Sequence, residues 1–210
     1  MKKLLHVVAS PRGEKSRTLR VAHAFLERFK EQHPDWLVDE INVFEEELPS
    51  MSARQVDGKY ILLGNRELYG DLRERWLEIV QHIERFKAAS AYVISTPMWN
   101  FSLPYPLKQY LDILIQPSYL FRYVKGQLEG LLAGRRVIVI SSSGGAYGDA
   151  EARPADHVES YLRTVFGFVG VTDIRFIKVE SLDGVSKKRE HEAVEAARQQ
   201  ARALAEETFG

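Results

Sequence analysis

The stretch "AYVISTPMWNFSLPYPLKQYLD", residues 91–112, decides the fold. Its first six residues, 91–96, carry no charge and read as a strand buried on both faces, the pattern of a parallel sheet covered by helices. Pro97 stops the strand. Met98, Trp99, Asn100 and Phe101 then crowd flat, sticky surface into a loop, and helical spacing begins at Pro106 and runs to about residue 115.

Working outward, the same alternation recurs. "KLLHVVA" (3–9), "WLVDEINVF" (36–44), "RRVIVISS" (135–142) and "DIRFIKVE" (173–180) read as four more strands. Between them, helical spacing places Leu19, Ala22, Leu26 and Phe29 on one face over 16–31. It does the same for Leu72, Trp76, Ile79, Val80 and Ile83 over 71–89. Residues 155–170 form a helix that Gly170 can end, and a charged helix covers Ser186 to Thr208 with Val194, Ala197, Ala201 and Leu204 inward. Five βα units imply parallel pairing through right-handed crossovers. The expectation is therefore an α/β sandwich of three layers around a five-stranded parallel sheet in the doubly wound order 2-1-3-4-5. No linker or repeat divides the chain, so residues 1–210 read as a single domain. Two stretches stand outside the alternation, 45–70 and 116–134. Both read as long loops, and long loops tend to be functional.

Composition removes several classes of function. The 29 basic and 29 acidic side chains cancel, which argues against a nucleic-acid footprint or a polybasic membrane patch. Without cysteine there is no disulfide, thiol nucleophile or thiolate metal site, which fits a reducing cytoplasm. The apolar run in "MKKLLHVVASPRG" is too short for a leader and reads as a core strand, and no run approaches the ~20 residues of a membrane span. The six histidines show no metal-ligand spacing, so no metal is expected, and there is no G-x-S-x-G elbow.

In this architecture ligands bind at the carboxyl ends of the strands where strand order reverses, between strands 1 and 3. Three loops converge there: 10–18, 97–105 and 142–149. The first, "SPRGEKSRT", offers hydroxyls at Ser10, Ser16 and Thr18 and cations at Arg12, Lys15 and Arg17, then opens a helix, whose N-terminus favours a phosphate. Ser16 also reads as a plain helix cap. The loop is neither a Walker A motif nor G-x-G-x-x-G. In the third, "SSSGGAYGD", Gly144 and Gly145 let backbone approach a ligand, although a simple Gly/Ser turn reads the same way. In the second, Met98 and Trp99 suit a flat heterocycle and Asn100 matches an imide edge, which points to an isoalloxazine ring. An aromatic plug for the core is the other reading.

With "SPRGEKSRT", "FRYVKGQLEGLLAGRRVIVISSSGG" and "YLRTVFGFVGVTDIRF" in order around it, "PMWNFSLPYPLKQYLD" resembles the ring loop and helix of the FMN-dependent NADH-azoreductases. These belong to an NAD(P)H:quinone oxidoreductase family of flavodoxin-like fold. The resemblance spans most of the chain and is weakest over 45–70. It implies a bound FMN, with phosphate on Ser10, Ser16, Arg17 and Thr18. The ring would rest on Pro97, Met98, Trp99, Asn100 and Phe101, and on Ser142, Ser143, Gly144 and Gly145. It implies a catalytic contribution from Asn100 and Tyr147, the latter at a position where His is common in relatives. Tyr123 and Phe168 match substrate-pocket positions. It further implies a homodimer with sites built from both subunits, and a ping-pong cycle in which NADH or NADPH reduces the flavin and a quinone, azo or nitroaromatic compound re-oxidises it. Trp99 replaces a usual Tyr, and Ser143 a usual Arg whose loss would lower the flavin potential. Arg17, Arg122 and Arg153 are candidate partners for an NADPH 2′-phosphate. A flavodoxin-like electron carrier is the alternative, but carriers are usually acidic and this chain is neutral.

Overall fold

A computed structural model describes residues 1–64 and 66–207; Thr208, where the last helix was expected to end, lies outside them. Strand β1 (Lys3–Val8) is flanked by β2 (Leu37–Asn42) and by the central strand β3 (Ala91–Pro97). Beyond β3 lie β6 (Arg136–Ser142) and β7 (Asp173–Val179), giving the order β2-β1-β3-β6-β7, all parallel. Counted without two short strands described below, this is the expected 2-1-3-4-5.

The period-2 alternation of strands divides the core into two layers. Leu5, Val7, Tyr92, Ile94, Val137 and Val139 face one side. There they meet Trp76, Ile79, Ile83 and Phe86 of α3 (Gly70–Lys87), Leu107 and Tyr110 of α4 (Tyr105–Leu114), and Leu162 and Phe166 of α5 (His157–Phe168). Leu4, Val93, Ile138, Ile140 and Ile177 face the other side, under α1 (Arg17–Gln32) and α6 (Lys187–Ala205). Three helices, α1, α5 and α6, begin at a side-chain cap. Ser16 accepts from the Leu19 N–H, Ser186 from Arg189, and Asp156 from Val158 and Glu159, each bond contributing about 1 kcal/mol.

Both stretches read as loops hold regular structure. Residues 53–63 form α2 (Ala53–Leu63), which shows little apolar periodicity and has Gly58 in its middle. Gly58 is there for packing: a Cβ would collide with the Trp76 indole, so the bare backbone lies flush on α3. Within 116–134, β4 (Phe121–Val124) and β5 (Gln127–Gly130) pair antiparallel. Lys125 (φ 52°) and Gly126 (φ 78°) are both left-handed, as a two-residue hairpin turn demands. These strands are short, charged and mostly exposed, so their sequence lacks a clear strand pattern. The hairpin docks through Gly130, where a Cβ would collide with the backbone of Val169 and Gly170, and through Leu132 N–H to Val169 C=O at 2.8 Å.

Candidate functional site

The strand order reverses between β1 and β3, and the carboxyl ends of β1, β3 and β6 open onto a cleft of about 230 Å³. Ser10, Ser16, Arg17, Thr18, Pro97, Met98, Trp99, Ser142, Ser143 and Gly144 all line it, so most of the expected cofactor residues converge. Backbone pairing brings the loops together. Met98 N–H donates to Ser142 C=O at 2.8 Å, and Ser143 N–H to Val179 C=O at 3.0 Å.

The floor is a set of buried hydroxyls. Ser10 Oγ donates to Ser16 Oγ at 2.9 Å, and Thr18 Oγ1 lies 2.6 Å from Ser142 Oγ. Ser16 is thus both the cap of α1 and part of the cleft, so the two readings of that serine coexist. In the first turn of α1 the Leu19 N–H is taken by Ser16 Oγ, whereas helix geometry supplies the Arg17 and Thr18 N–H groups with no intrahelical acceptor.

One wall is the 97–104 segment, which forms a tight hairpin. Trp99 and Ser102 exchange two backbone hydrogen bonds, at 2.9 and 3.0 Å. Asn100 (φ 47°) and Phe101 (φ 69°) occupy the two turn positions, both left-handed. Asn tolerates that conformation; for Phe it costs energy, and such strain is typical of functional loops. The turn explains the crowded sequence: Trp99 faces the cleft while Phe101, 53% exposed, stands at the tip. Trp99 is propped edge-on by Phe44, ring centroids 5.6 Å apart.

The opposite wall is the glycine loop. A Cβ at Gly144 would collide with the Asp183 carboxylate, and one at Gly145 would press on the Tyr147 hydroxyl at 3.2 Å and its ring at 3.3 Å. Bare backbone lets the Asp183 and Tyr147 side chains pack against that wall. The Ser143 hydroxyl donates to Gly145 C=O at 2.8 Å and braces the loop. Leu182 and Asp183 also line the cleft and were not expected. They follow β7, whose carboxyl end opens on the same edge, so the architecture itself was the available signal.

Six expected residues do not line the cleft, although Asn100 borders a wider depression that Trp99 also lines. Phe101, Gly145 and Tyr147 cluster beside it: the Phe101 and Tyr147 rings lie 6.4 Å apart. Tyr123 and Phe168 are drawn together elsewhere, each packed on Phe121 at 6.2 and 4.7 Å. Of the arginines considered for a 2′-phosphate, Arg17 and Arg122 are engaged by Glu190 and Glu129, whereas Arg153 donates to Gly148 C=O.

A cleft with hydroxyls and a helix N-terminus at one end, and Met98 and Trp99 beside it, has the chemistry for a flat heterocycle that carries a phosphate. Comparison with known proteins agrees. A family model described as "Flavodoxin-like fold" matches residues 2–205, and the chain belongs to that family. Among its relatives, an FMN-dependent NADH:quinone oxidoreductase of Nitratidesulfovibrio vulgaris (strain Hildenborough) is 39% identical over 206 residues, covering 96% of this chain and 99% of that one. Another, of Sinorhizobium medicae, is 38% identical over 189 residues, or 89% and 90% of the two chains. A solved FMN-dependent NADH-azoreductase from Bacillus anthracis, in complex with FMN, superposes with a TM-score of 0.84 at 26% identity, covering 98% and 100%.

Proposed function

We infer that this protein is an FMN-dependent NADH:quinone oxidoreductase. The observation that carries the reading is the convergence of Ser10, Ser16 and Thr18, of Met98 and Trp99, and of Ser142 to Gly144 on one cleft at the switch point of a flavodoxin-like sheet. The relatives bear the same name across almost their whole length, which favours an enzyme over an electron carrier.

The residues present fit FMN, because the hydroxyls of Ser10, Ser16 and Thr18 and the apolar surface of Met98 and Trp99 line one cleft. FMN, when bound, accepts a hydride from the nicotinamide and passes two electrons on to the acceptor. The chain's own part is to bind and orient. Ser10, Ser16, Thr18 and the first turn of α1 would hold the phosphate. Met98 and Trp99 would back the ring, and Gly144 and Gly145 would present amides to its polar edge. Asn100, in its left-handed turn, would offer a side-chain donor and acceptor close by, an electrostatic role of the oxyanion-hole type. Phe101 and Tyr147 beside Gly145 would limit water at the stacking face.

Azo compounds and nitroaromatics are further proposed acceptors, since stacking on an exposed face asks only for a flat, electron-poor ring. A homodimer is the proposed assembly: Tyr123 and Phe168 form their own aromatic cluster off the cleft, and Tyr123 is 54% exposed. A second subunit would bring that cluster to a flavin. We read residues 1–210 as one unit working in the cytoplasm. Among the described residues no helix is long and apolar enough to cross a membrane.

The test is the visible spectrum of the purified protein, taken without air before and after NADH. Flavin bands that bleach with NADH and return with a quinone are expected, with FMN released on heating. A colourless protein that cannot be loaded with FMN would overturn the reading, and a yellow protein indifferent to NADH and NADPH would restore the carrier.

A further inference from the structure

Arg12 and Arg17 both line the phosphate end of the cleft, and sequence alone does not rank them. Their surroundings do. Arg17 opens α1, and its guanidinium is turned toward α6: Nε lies 2.9 Å from Glu190 Oε1, and Nη2 lies 3.1 Å from Oε2. Its remaining nitrogen, Nη1, faces Asp183 Oδ1 at 3.8 Å. All three nitrogens are thus committed to carboxylates, in a two-pronged pair that is partly buried between helices. Arg20 adds a second cation to Glu190 at 3.5 Å.

Arg12 differs. It lines the cleft with Ser10 and Ser16, and among the described residues no carboxylate lies within ion-pair distance of it. Its backbone is fixed, because its carbonyl accepts the Lys15 N–H at 3.1 Å in the turn where Gly13 is left-handed (φ 49°). Its side chain is exposed and free to swing. Glu190 feels Arg12 only through space; its carboxyl is held below the ordinary range first by the hydrogen bond from Arg17.

We propose that Arg12, not Arg17, supplies the guanidinium that pairs with the cofactor's phosphate, and that Arg17 is a positioning residue. Arg17 ties the first turn of α1 to α6 and to the loop bearing Asp183, and so sets the shape of the phosphate end without contacting the phosphate through its side chain. The inference rests on the FMN reading and adds a prediction of which flavin is chosen. A phosphate monoester carries close to two negative charges, which a free guanidinium meets with two parallel hydrogen bonds. Riboflavin has no such charge. Arg12 therefore discriminates FMN from riboflavin, and Arg17 does not.

The experiment strips flavin from the full-length protein and titrates it with FMN and with riboflavin, following flavin fluorescence, for wild type, Arg12→Gln, Arg12→Lys and Arg17→Gln. Melting temperatures are recorded alongside. Wild type is expected to prefer FMN. Arg12→Gln should weaken FMN about tenfold or more and leave riboflavin unchanged, with Arg12→Lys intermediate. Arg17→Gln should lower the melting temperature and weaken both flavins by the same factor. If wild type prefers FMN but Arg12→Gln keeps the full preference, or Arg17→Gln abolishes it, the assignment is overturned while the cofactor reading stands. A wild-type protein that takes up no FMN overturns both.

Discussion

Thr18 Oγ1 and Ser142 Oγ lie 2.6 Å apart, joining the first turn of α1 to the end of β6. The contact spans 124 positions of sequence, and it closes the cleft floor at the point where two of its three loops meet. Thr18 is fully buried, so the valine that replaces its hydroxyl with a methyl removes the bond without leaving a hole. Thr18→Val and Ser142→Ala should each cost about 1 kcal/mol of stability. The double variant should cost little more than either single one, because both remove the same bond. Urea unfolding of the flavin-free protein measures this, and fully additive losses would mean that the hydroxyls do not depend on each other.

Asn100 serves two purposes that can be separated. Its backbone at φ 47° shapes the hairpin, and the residue borders the depression next to Trp99. Asn100→Gly keeps the left-handed turn and deletes the amide, whereas Asn100→Ala also strains the turn by about 1 kcal/mol. Turnover should fall about tenfold or more in both, with FMN retained in Asn100→Gly. Lost FMN with normal turnover per bound flavin would assign Asn100 to binding instead.

The β4–β5 hairpin is held by a glycine contact. Gly130→Ala would push a methyl into the backbone of Val169 and Gly170, where nothing can yield. It should destabilise the protein by about 2 kcal/mol or more. It should also loosen the Phe121–Phe168 contact, and with it the proposed substrate aromatics, while FMN affinity holds. Melting temperature, FMN titration and quinone KM together read this out; an unchanged melting temperature would show that the hairpin is not anchored there.

A buried histidine makes stability depend on acidity. His6 is fully buried; its Nδ1 lies 2.9 Å from Glu40 Oε2 and its Nε2 lies 2.8 Å from Ser95 Oγ. Burial pushes its pKa below the ordinary 6.5, against the upward pull of Glu40, so the folded ring is neutral near pH 7. As the pH falls below 6.5, the unfolded chain takes up a proton that the folded one refuses, so stability drops from there down to the folded pKa. Above 6.5 the contribution is constant. Unfolding free energies at pH 7.5, 6.5 and 5.5 should show wild type losing up to about 1.4 kcal/mol per pH unit more than His6→Gln. Parallel curves for the two proteins would remove the idea.

How much of this was visible in the sequence follows from the range of the forces concerned. The strands at 3–9, 91–96 and 135–142 announced themselves because burial on both faces leaves each a near-continuous apolar run. With the helices between them, they implied the sheet order and the three converging loops. Helix α2 escaped because its centre is Gly58, chosen to fit against Trp76 and unfavourable in a helix considered alone. The hairpin escaped because its strands are four residues long and its pairing of Arg122 with Glu129 is a cross-strand contact, not a period.

By itself, then, the sequence determined the αβα class, the switch-point location of the site, and the hydroxyls, aromatics and glycines that line it. Those features are written in local composition and in the order of elements, and they follow from burial and chain geometry over a few residues at a time. Only the tertiary structure decided which cation is available. Arg17 looks free beside Arg12 until Glu190, 173 positions away, comes within 2.9 Å of it. The same holds for Asp183 against Gly144 and for Tyr123 and Phe168 meeting on Phe121. A charge or ring is used up by whatever folding places next to it, and neighbours so distant in sequence are set by the packing of the whole chain.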